Sequence, residues 1–351
     1  MTSAPAISLA NVGVRYGDTV AAQQVSLHIA QGEIHVLLGK SGSGKTTLLR
    51  AIAGVEPISS GTITLFGHEV DRANTAGLFT PPEKRRVGVV FQDYALFPHL
   101  NVGDNVAFGI TRGTKLNSTY WLKRVGLDGY ELRPPSQLSG GEQQRVALAR
   151  ALASKPRFML FDEPFSNLDM TLRRRLRLQT VELLKQEHIS AIFVTHDATE
   201  AFALGDRLSV MHQSRLLQSG TAKTLYNTPI NLDVARSVGE TLLFPATRSG
   251  ELTAKCALGT IPIRAESTSR KTGTVMLRPE QLTVATTSTS MHLNDAHHIG
   301  TGAVLKRTFL GATTSILIQL EEHQIEASIS SLDANLDDSV DLVMLGDAIL
   351  L

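Results

Sequence analysis

Along the first two thirds of the chain, apolar residues gather into short unbroken runs, and three of these stop abruptly at polar chemistry. Ile34-His35-Val36-Leu37-Leu38 ends at Gly39, Phe158-Met159-Leu160-Phe161 ends at Asp162-Glu163, and Ala191-Ile192-Phe193-Val194-Thr195 ends at His196. Runs this short have the length of buried strands rather than of membrane spans, which need about 20 apolar residues. Helical patterns lie between them, and the alternation from Ile7 to about Ser237 predicts a mostly parallel sheet covered by helices. Ligands of such sheets sit just beyond the carboxyl ends of the strands, so Gly39, Asp162-Glu163 and His196 are expected to converge on one site.

Past Gly239 the pattern changes. Short β-branched segments such as Thr274-Val275-Met276-Leu277 and Thr313-Thr314-Ser315-Ile316-Leu317-Ile318 are separated by Gly, Ser and Asn, which predicts a small antiparallel β domain. The expected division is an α/β domain over residues 1–237 and a β domain over 238–351.

Composition narrows the picture by exclusion. A chain of 351 residues exceeds one typical domain of roughly 100–200 residues. Its 42% hydrophobic and 19% charged residues suit a chain with a large core. A net charge of +1 gives no global basis for binding nucleic acid or an anionic lipid surface. The single cysteine, Cys256, cannot pair within the chain and is expected to be a packed thiol. Met1-Thr2-Ser3-Ala4-Pro5-Ala6 lacks the basic and apolar regions of a secretory signal, so a cytoplasmic chain is expected.

Gly39-Lys40-Ser41-Gly42-Ser43-Gly44-Lys45-Thr46 matches G-x-x-x-x-G-K-[ST] between a predicted strand and a helical run, Thr47 to Ala53, with Gly54 as its expected C-cap. Glycines let backbone N–H groups turn inward around a phosphate, and the helix amino end adds partial positive charge. Lys45 is then placed for the β/γ oxygens of ATP and Thr46 for Mg²⁺. Alone, this loop leaves kinases, GTPases and many ATPases open.

Leu138-Ser139-Gly140-Gly141-Glu142-Gln143-Gln144-Arg145 discriminates among them, because it resembles the signature motif of the ABC ATPase family. A serine hydroxyl and two glycines at the start of a helix, here running through about Ala153, form a second anion cradle. The resemblance implies a P-loop nucleotide-binding cassette with a helical signature subdomain at about residues 95–155, followed by an OB-like regulatory β domain. It also implies roles by position. Asp162 would position Mg²⁺ and Glu163 polarise the attacking water, while Gln92, in Val89-Val90-Phe91-Gln92, would touch metal and water. His196 resembles the switch histidine, Ser166-Asn167-Leu168-Asp169 the loop that crosses between protomers, and Tyr16 the aromatic that stacks on adenine. In the family the signature serine and glycines act on ATP held by the other cassette, so a homodimer is implied.

Phe91 to Val106 resembles importer cassettes served by an extracytoplasmic solute-binding protein, with Phe97, Pro98 and Leu100 lining a groove for an integral-membrane permease. Leu277-Arg278-Pro279-Glu280 and Phe309-Leu310-Gly311 resemble the regulatory domain of cassettes for sugars, polyamines, sulfate and ferric iron. Val238 to Ala246 is most similar to the ferric iron importers, which implies iron as cargo and a peripheral place on the cytoplasmic face of the inner membrane. The alternatives are another of those solutes, or a non-transport ABC ATPase acting on nucleic acid; the latter usually carries two cassettes or a coiled-coil insertion.

Weaker signals read blandly. His292, Asp295, His297 and His298 are expected on a solvated loop rather than at a metal, and Arg173, Arg174, Arg175 and Arg177 on a solvated or partner-facing helix edge. Gln213-Ser214 stands where these cassettes usually turn with Gly, and Ala222 where Pro is common; both put local turn geometry in question.

Overall fold

A computed structural model describes residues 4–74, 78–110, 117–285, 296–331 and 338–351. Contacts divide the chain into two compact units, Met1–Leu225 and Tyr226–Leu351. The division therefore falls earlier than the expected 237/238. The reason is Arg278, 3% exposed, whose guanidinium donates to the main-chain oxygens of Tyr226 (3.0 Å), Ala235 (3.0 Å) and Glu240 (2.9 Å) and ties that segment to the second unit.

The first unit opens with β1 (Ile7–Tyr16), β2 (Thr19–Ile29), β3 (Ile34–Leu38) and α1 (Lys45–Ala53). It continues through β4 (Ser60–Leu65), β5 (His68–Arg72) and β6 (Val87–Val90) to α2 (Val102–Phe108), α3 (Ser118–Arg124) and α4 (Gly140–Ala153). Then come β7 (Phe158–Asp162), α5 (Met170–Gln186), β8 (Ser190–Thr195), α6 (Ala198–Leu204), β9 (Arg207–His212) and β10 (Arg215–Gly220), with α7 (Ala222–Asn227) crossing into the second unit.

Two sheets carry this unit. One is antiparallel, in the order β2-β1-β4-β5; the other runs β10-β9-β3-β8-β7-β6, parallel except for the β10 hairpin. Every residue of β3 and β8 is buried, as continuous apolar runs in a doubly covered parallel sheet require. His35 is tolerated within β3 because its ring nitrogens meet Glu33 Oε1 and Ser209 Oγ, each at 2.8 Å. Leu48, Leu49 and Ile52 of α1 join one core cluster with side chains of both sheets, among them Ile7, Leu9, Leu37 and Leu160. The helix carrying the phosphate loop's lysine is thereby fixed by packing on either side.

The β9–β10 turn answers the question raised by Gln213-Ser214. Both residues adopt left-handed conformations, φ 46° and 64°, and the hairpin closes with Arg215 opposite His212. The turn is held by Ser214 Oγ donating to Val20 O (2.9 Å) and by Gln23 N–H donating to Ser214 O (2.7 Å).

The second unit begins with α8 (Leu232–Val238) and is otherwise β. Its strands are β11 (Leu242–Arg248), β12 (Thr253–Cys256), β13 (Gly259–Pro262), β14 (Thr272–Leu277), β15 (Leu282–Val284), β16 (Ala296–Phe309), β17 (Thr313–Leu320), β18 (His323–Ser330), β19 (Ser339–Leu345) and β20 (Ile349–Leu350). They form two five-stranded antiparallel sheets, β13-β12-β11-β14-β20 and β15-β19-β16-β17-β18, that share one core including Ile261, Val275, Ile316 and Leu342. His297 and His298 lie on strand β16, not on a loop, while His292 and Asp295 lie outside the described residues. His298 Nε2 faces Asp341 Oδ1 at 3.6 Å, and the described residues hold no cluster of three metal-ligating side chains.

Candidate functional site

Parallel strands β3, β8 and β7 are neighbours in that order, with Leu38 opposite Thr195 and Val194 opposite Asp162. Their carboxyl ends therefore bring Gly39, His196 and Asp162-Glu163 side by side, as the ends of the apolar runs implied. Beneath them Phe161 and Phe193 stack with ring centres 4.2 Å apart and planes 2° from parallel. Such a pair contributes about 0.5–1.5 kcal/mol beyond its buried area.

Gly39 to Gly44 link β3 to α1. Gly44 is the N-cap at φ 95°, and a Cβ there would sit 2.0 Å from Ala21 O, so only glycine lets the helix start this close to β2. Lys45 is 5% exposed, and its Nζ donates to Gly39 O (2.7 Å) and Lys40 O (3.0 Å), which folds the ammonium over the loop. Burial lowers the Lys45 pKa, against the opposing pull of Glu163 and Asp162. Ser43 Oγ is buried with no partner in the protein. A buried hydroxyl left orphaned inside a ring of turning amides is what an anion-binding loop presents to a phosphate. Lys40, Ser41 and Gly42 lie on its exposed rim, and Thr47 is half-buried.

Thr46 Oγ1 donates to Asp162 Oδ1 at 2.9 Å. Burial pushes the Asp162 carboxyl up, the Thr46 hydroxyl pulls it down and neighbouring Glu163 pushes it up further. Both oxygens line a cleft of about 410 Å³ together with Phe91, Gln92, Asp93 and Asn167. Oxygen donors of this kind beside a half-buried carboxylate fit Mg²⁺, whose charge would offset the cost of partly burying Asp162. Gln92 is exposed, and its main-chain oxygen accepts from Asn167 Nδ2 at 3.3 Å, which joins the glutamine segment to the loop after Glu163.

Glu163 has φ 42°, uncommon for a non-glycine residue, and such backbone conformations gather where geometry serves function. Its Oε2 lies 3.0 Å from His196 Nδ1. The carboxylate is thus oriented by the imidazole of the neighbouring strand end. Ser166 Oγ donates to Glu163 O (3.0 Å) and holds the turn.

The other expected residues do not line this cleft. Tyr16 ends β1 with 44% of its surface exposed. Ser139 is the N-cap of α4 in a complete capping box with Glu142, and neither it nor the two glycines line the Thr46–Asp162 cleft. Gly141 has a packing reason of its own: a Cβ would lie 2.7 Å from Leu172 Cδ2 of α5, whereas Gly140 meets nothing closer than 3.6 Å. Asp169 caps α5 by accepting from Thr171 N–H (3.1 Å) and Leu172 N–H (3.0 Å). Phe97 packs on Phe108, which is 70% exposed, at 4.7 Å between ring centres. Pro98 is exposed and Leu100 half-buried.

Sequence reading missed the residues that hold these pieces in place. Asn105, fully buried, accepts from Phe97 N–H (2.9 Å) and donates to Phe97 O, Leu100 O and Asn101 O, locking the 97–101 loop onto α2. Arg85 donates to Ala51 O (2.7 Å) and Ile52 O (3.0 Å) at the carboxyl end of α1. Arg173, read as part of a surface edge, donates to Ser166 O (3.2 Å) and Leu168 O (2.8 Å). A lone buried polar residue carries no sequence signal, because only its surroundings set it apart from a solvated one.

Comparison with known proteins agrees with this geometry. A family model described as ABC transporter matches residues 22–166. The Fe(3+) ions import ATP-binding protein FbpC 2 of Haemophilus influenzae is 41% identical over 93% of this chain and 91% of its own length. The spermidine/putrescine import ATP-binding protein PotA of Lawsonia intracellularis is 41% identical over 90% of this chain and 86% of its own. Among solved structures, cbiO1 of Clostridium perfringens, part of the ABC transporter complex cbiONQ, matches with a TM-score of 0.57 and 29% identity, covering 67% of this chain and 94% of that one. The ATP-binding cassette MJ0796, a dimer bound to ADP and phosphate, matches with a TM-score of 0.54 and 29% identity, covering 61% and 98%. With its phosphate loop, strand-end carboxylates and histidine in one cluster, and with full-length relatives on this scale, the chain belongs to the ABC transporter family as an ATP-binding subunit of an importer.

Proposed function

We propose that this chain binds ATP with Mg²⁺ and hydrolyses it to drive uptake of ferric iron. The observation that carries the catalytic part is the meeting of Lys45, Thr46, Asp162, Glu163 and His196 at the ends of three adjacent parallel strands. In this reading Gly39 to Thr47 wrap the phosphates, Lys45 reaches the β/γ oxygens, and Tyr16 stacks on the adenine. Thr46, Asp162 and Gln92 hold Mg²⁺, which when bound neutralises developing phosphate charge. Glu163 accepts a proton from the attacking water, and His196 keeps both in register with the γ-phosphate. Phosphoryl transfer asks a protein chiefly for position and charge, which is what these residues supply.

Ser139, Gly140 and Gly141 lie away from the Thr46–Asp162 cleft, which favours their acting on the nucleotide of a second copy. The working unit is then a homodimer, with Asp169 and the 166–168 loop at its junction, and the dimeric MJ0796 cassette supports this reading. The relatives' names as import ATP-binding proteins support an import role; in this reading the chain works beneath permeases, through the groove around Phe97, on the cytoplasmic face of the membrane and with an extracytoplasmic solute-binding protein. No described helix is long and apolar enough to cross a membrane, so the permease would be a separate chain. Nucleic acid has no place in this reading.

Iron is proposed because FbpC-type chains of Haemophilus influenzae match at 41% and 40% over 93% of this chain. Polyamine is the second reading, favoured by PotA relatives of equal identity. The test is uptake of radiolabelled ferric iron, spermidine, sugar and sulfate in cells lacking the gene, with the wild type or Glu163→Gln restored. Selective loss of iron uptake, recovered by the wild type but not by Glu163→Gln, is expected. Intact iron uptake with spermidine transport lost would overturn the cargo, and recovery by Glu163→Gln would overturn the base.

A further inference from the structure

The Glu163–His196 pair also borders a second, smaller cavity. Its volume is about 70 Å³, and Glu163, Ser166, Arg173, Thr195, His196 and Glu200 line it. Glu200 is 6% exposed, and the hydroxyl of Thr195, the last residue of β8, donates to its Oε2. Its main-chain N–H donates to Asp197 Oδ1 (3.0 Å), which pins the first turn of α6 directly after His196. The other carboxylate oxygen, Oε1, is buried with no hydrogen-bond partner in the protein, and so is Arg173 Nε. Arg173 and Arg177 pull the Glu200 carboxyl down electrostatically while burial, the largest influence, pushes it up.

Leaving a buried carboxylate oxygen and a buried guanidinium N–H both unmet is costly, because each has given up its water without gaining a partner. Folded chains avoid this by placing water in polar cavities of adequate size, and one water occupies about 30 Å³ of liquid volume. A cavity of about 70 Å³ lined by both Glu200 and Arg173 has room for a water, and each of these residues carries an orphaned polar atom. The same Arg173 grips Ser166 O and Leu168 O, so whatever bridges it to Glu200 also connects that loop to the turn bearing His196.

We propose that this cavity is a built water site, and that through its water Glu200 acts as a positioning residue, coupling the 166–168 loop to the Glu163–His196 pair. This rests on Glu163 and His196 being the hydrolytic pair. The coupling runs from Arg173 on α5, through water, to Glu200 Oε1, then through Oε2 and Thr195 to the end of β8. Loss of the Glu200 carboxyl releases Thr195 Oγ1 and the water together, and His196 loses its register with Glu163. Misplacement by about 1 Å near the reacting atoms costs on the order of a hundredfold in rate.

The test uses the full-length chain, with phosphate release giving kcat and KM for ATP in wild type, Glu200→Ala, Glu200→Gln and Glu163→Gln, alongside thermal unfolding and a high-resolution crystal structure. Glu200→Ala is expected to lower kcat about ten- to a hundredfold with KM within about threefold, and Glu200→Gln, which keeps an acceptor for Thr195 and a polar group for the water, to stay within about threefold of wild type. Density should show a water within hydrogen-bond distance of both Glu200 Oε1 and Arg173 Nε. A dry cavity overturns the water site. An unchanged kcat in Glu200→Ala, or a Glu200→Gln as impaired as Glu200→Ala, overturns the positioning role, whether or not the melting point falls. Rapid turnover by Glu163→Gln would instead overturn the hydrolytic assignment on which the proposal rests.

Discussion

Arg85 holds the far end of the phosphate-loop helix, and replacing it with methionine should cost the first unit much of its stability in a pH-dependent way. The guanidinium side chain is fully buried and donates to Thr80 O (2.6 Å), Ala51 O (2.7 Å), Ile52 O (3.0 Å) and, at longer range, Val70 O (3.4 Å) and Asp71 Oδ2 (3.5 Å). Methionine keeps most of the apolar volume, leaves carbonyls at the end of α1 without their donor and strands the Asp71 carboxylate, itself 3% exposed. Removing one partner of a buried ion pair costs about 3–5 kcal/mol. Burial pushes the Asp71 carboxyl above its ordinary value, and Arg85 pulls it back. A carboxyl raised by folding contributes stability that is full at acid pH and is lost as pH climbs through the folded value. Without Arg85 that value moves higher still, so the penalty of Arg85→Met should be greatest at neutral pH and shrink as the buffer is acidified. Urea unfolding followed by fluorescence of Trp121, which is buried in α3 of the first unit, reads this directly. At a slope of about 3 kcal/mol per molar, the midpoint at neutral pH should fall by roughly 1–2 M. Arg85→Met/Asp71→Asn should recover part of the loss. A small, pH-independent loss with no recovery in the double variant would refute both the ion pair and the helix-end role.

Two shorter predictions follow the same logic. Lys45→Ala removes the cation folded over Gly39 O and Lys40 O, and fluorescent nucleotide titration should show ATP affinity weakened at least about tenfold; unchanged affinity would remove Lys45 from the phosphate site. Gln213→Gly relieves a left-handed conformation, φ 46°, at a turn where glycine carries no Cβ penalty, and should stabilise the first unit by about 0.5–1 kcal/mol in the same urea assay; a loss of stability would mean that the Gln213 side chain contributes contacts outweighing the strain.

Legibility in the sequence followed the kind of interaction. Apolar runs with polar ends marked β3, β7 and β8, because burial on both faces of a parallel sheet leaves no alternation to confuse the pattern. Gly54 and Ser139 announced helix ends through local chemistry: Gly54 caps as expected at φ 83°, and Ser139 begins α4 by accepting from Glu142 N–H. The start of α1 was misjudged by two residues, since Lys45 and Thr46 are helical although their side chains belong to the loop's chemistry. Strand β16 was harder, because its exposed and half-buried residues show little apolar alternation and its pairing with β17 and β19 is what makes it a strand. The contact that draws Ala235 and Glu240 into the second unit is equally silent in the sequence: Arg278 lies about forty residues from the carbonyls it holds, and neither end of that contact marks the other.

What the sequence by itself determined is the inventory: a phosphate loop, a signature helix start, two carboxylates and a histidine at strand ends, with the spacing that makes each one local device. Those features depend on neighbours a few residues away, so linear order suffices to read them. Tertiary structure alone decided which devices share a site and what steadies them. It set Glu163 against His196 and Thr46 against Asp162, left Ser139 away from their cleft, and buried Arg85, Asn105, Arg173 and Glu200 or their polar atoms among the groups that give each a task. The physical reason is that a buried polar group takes its meaning from whichever partner satisfies it, and that partner is chosen by packing across sheets and helices far apart along the chain.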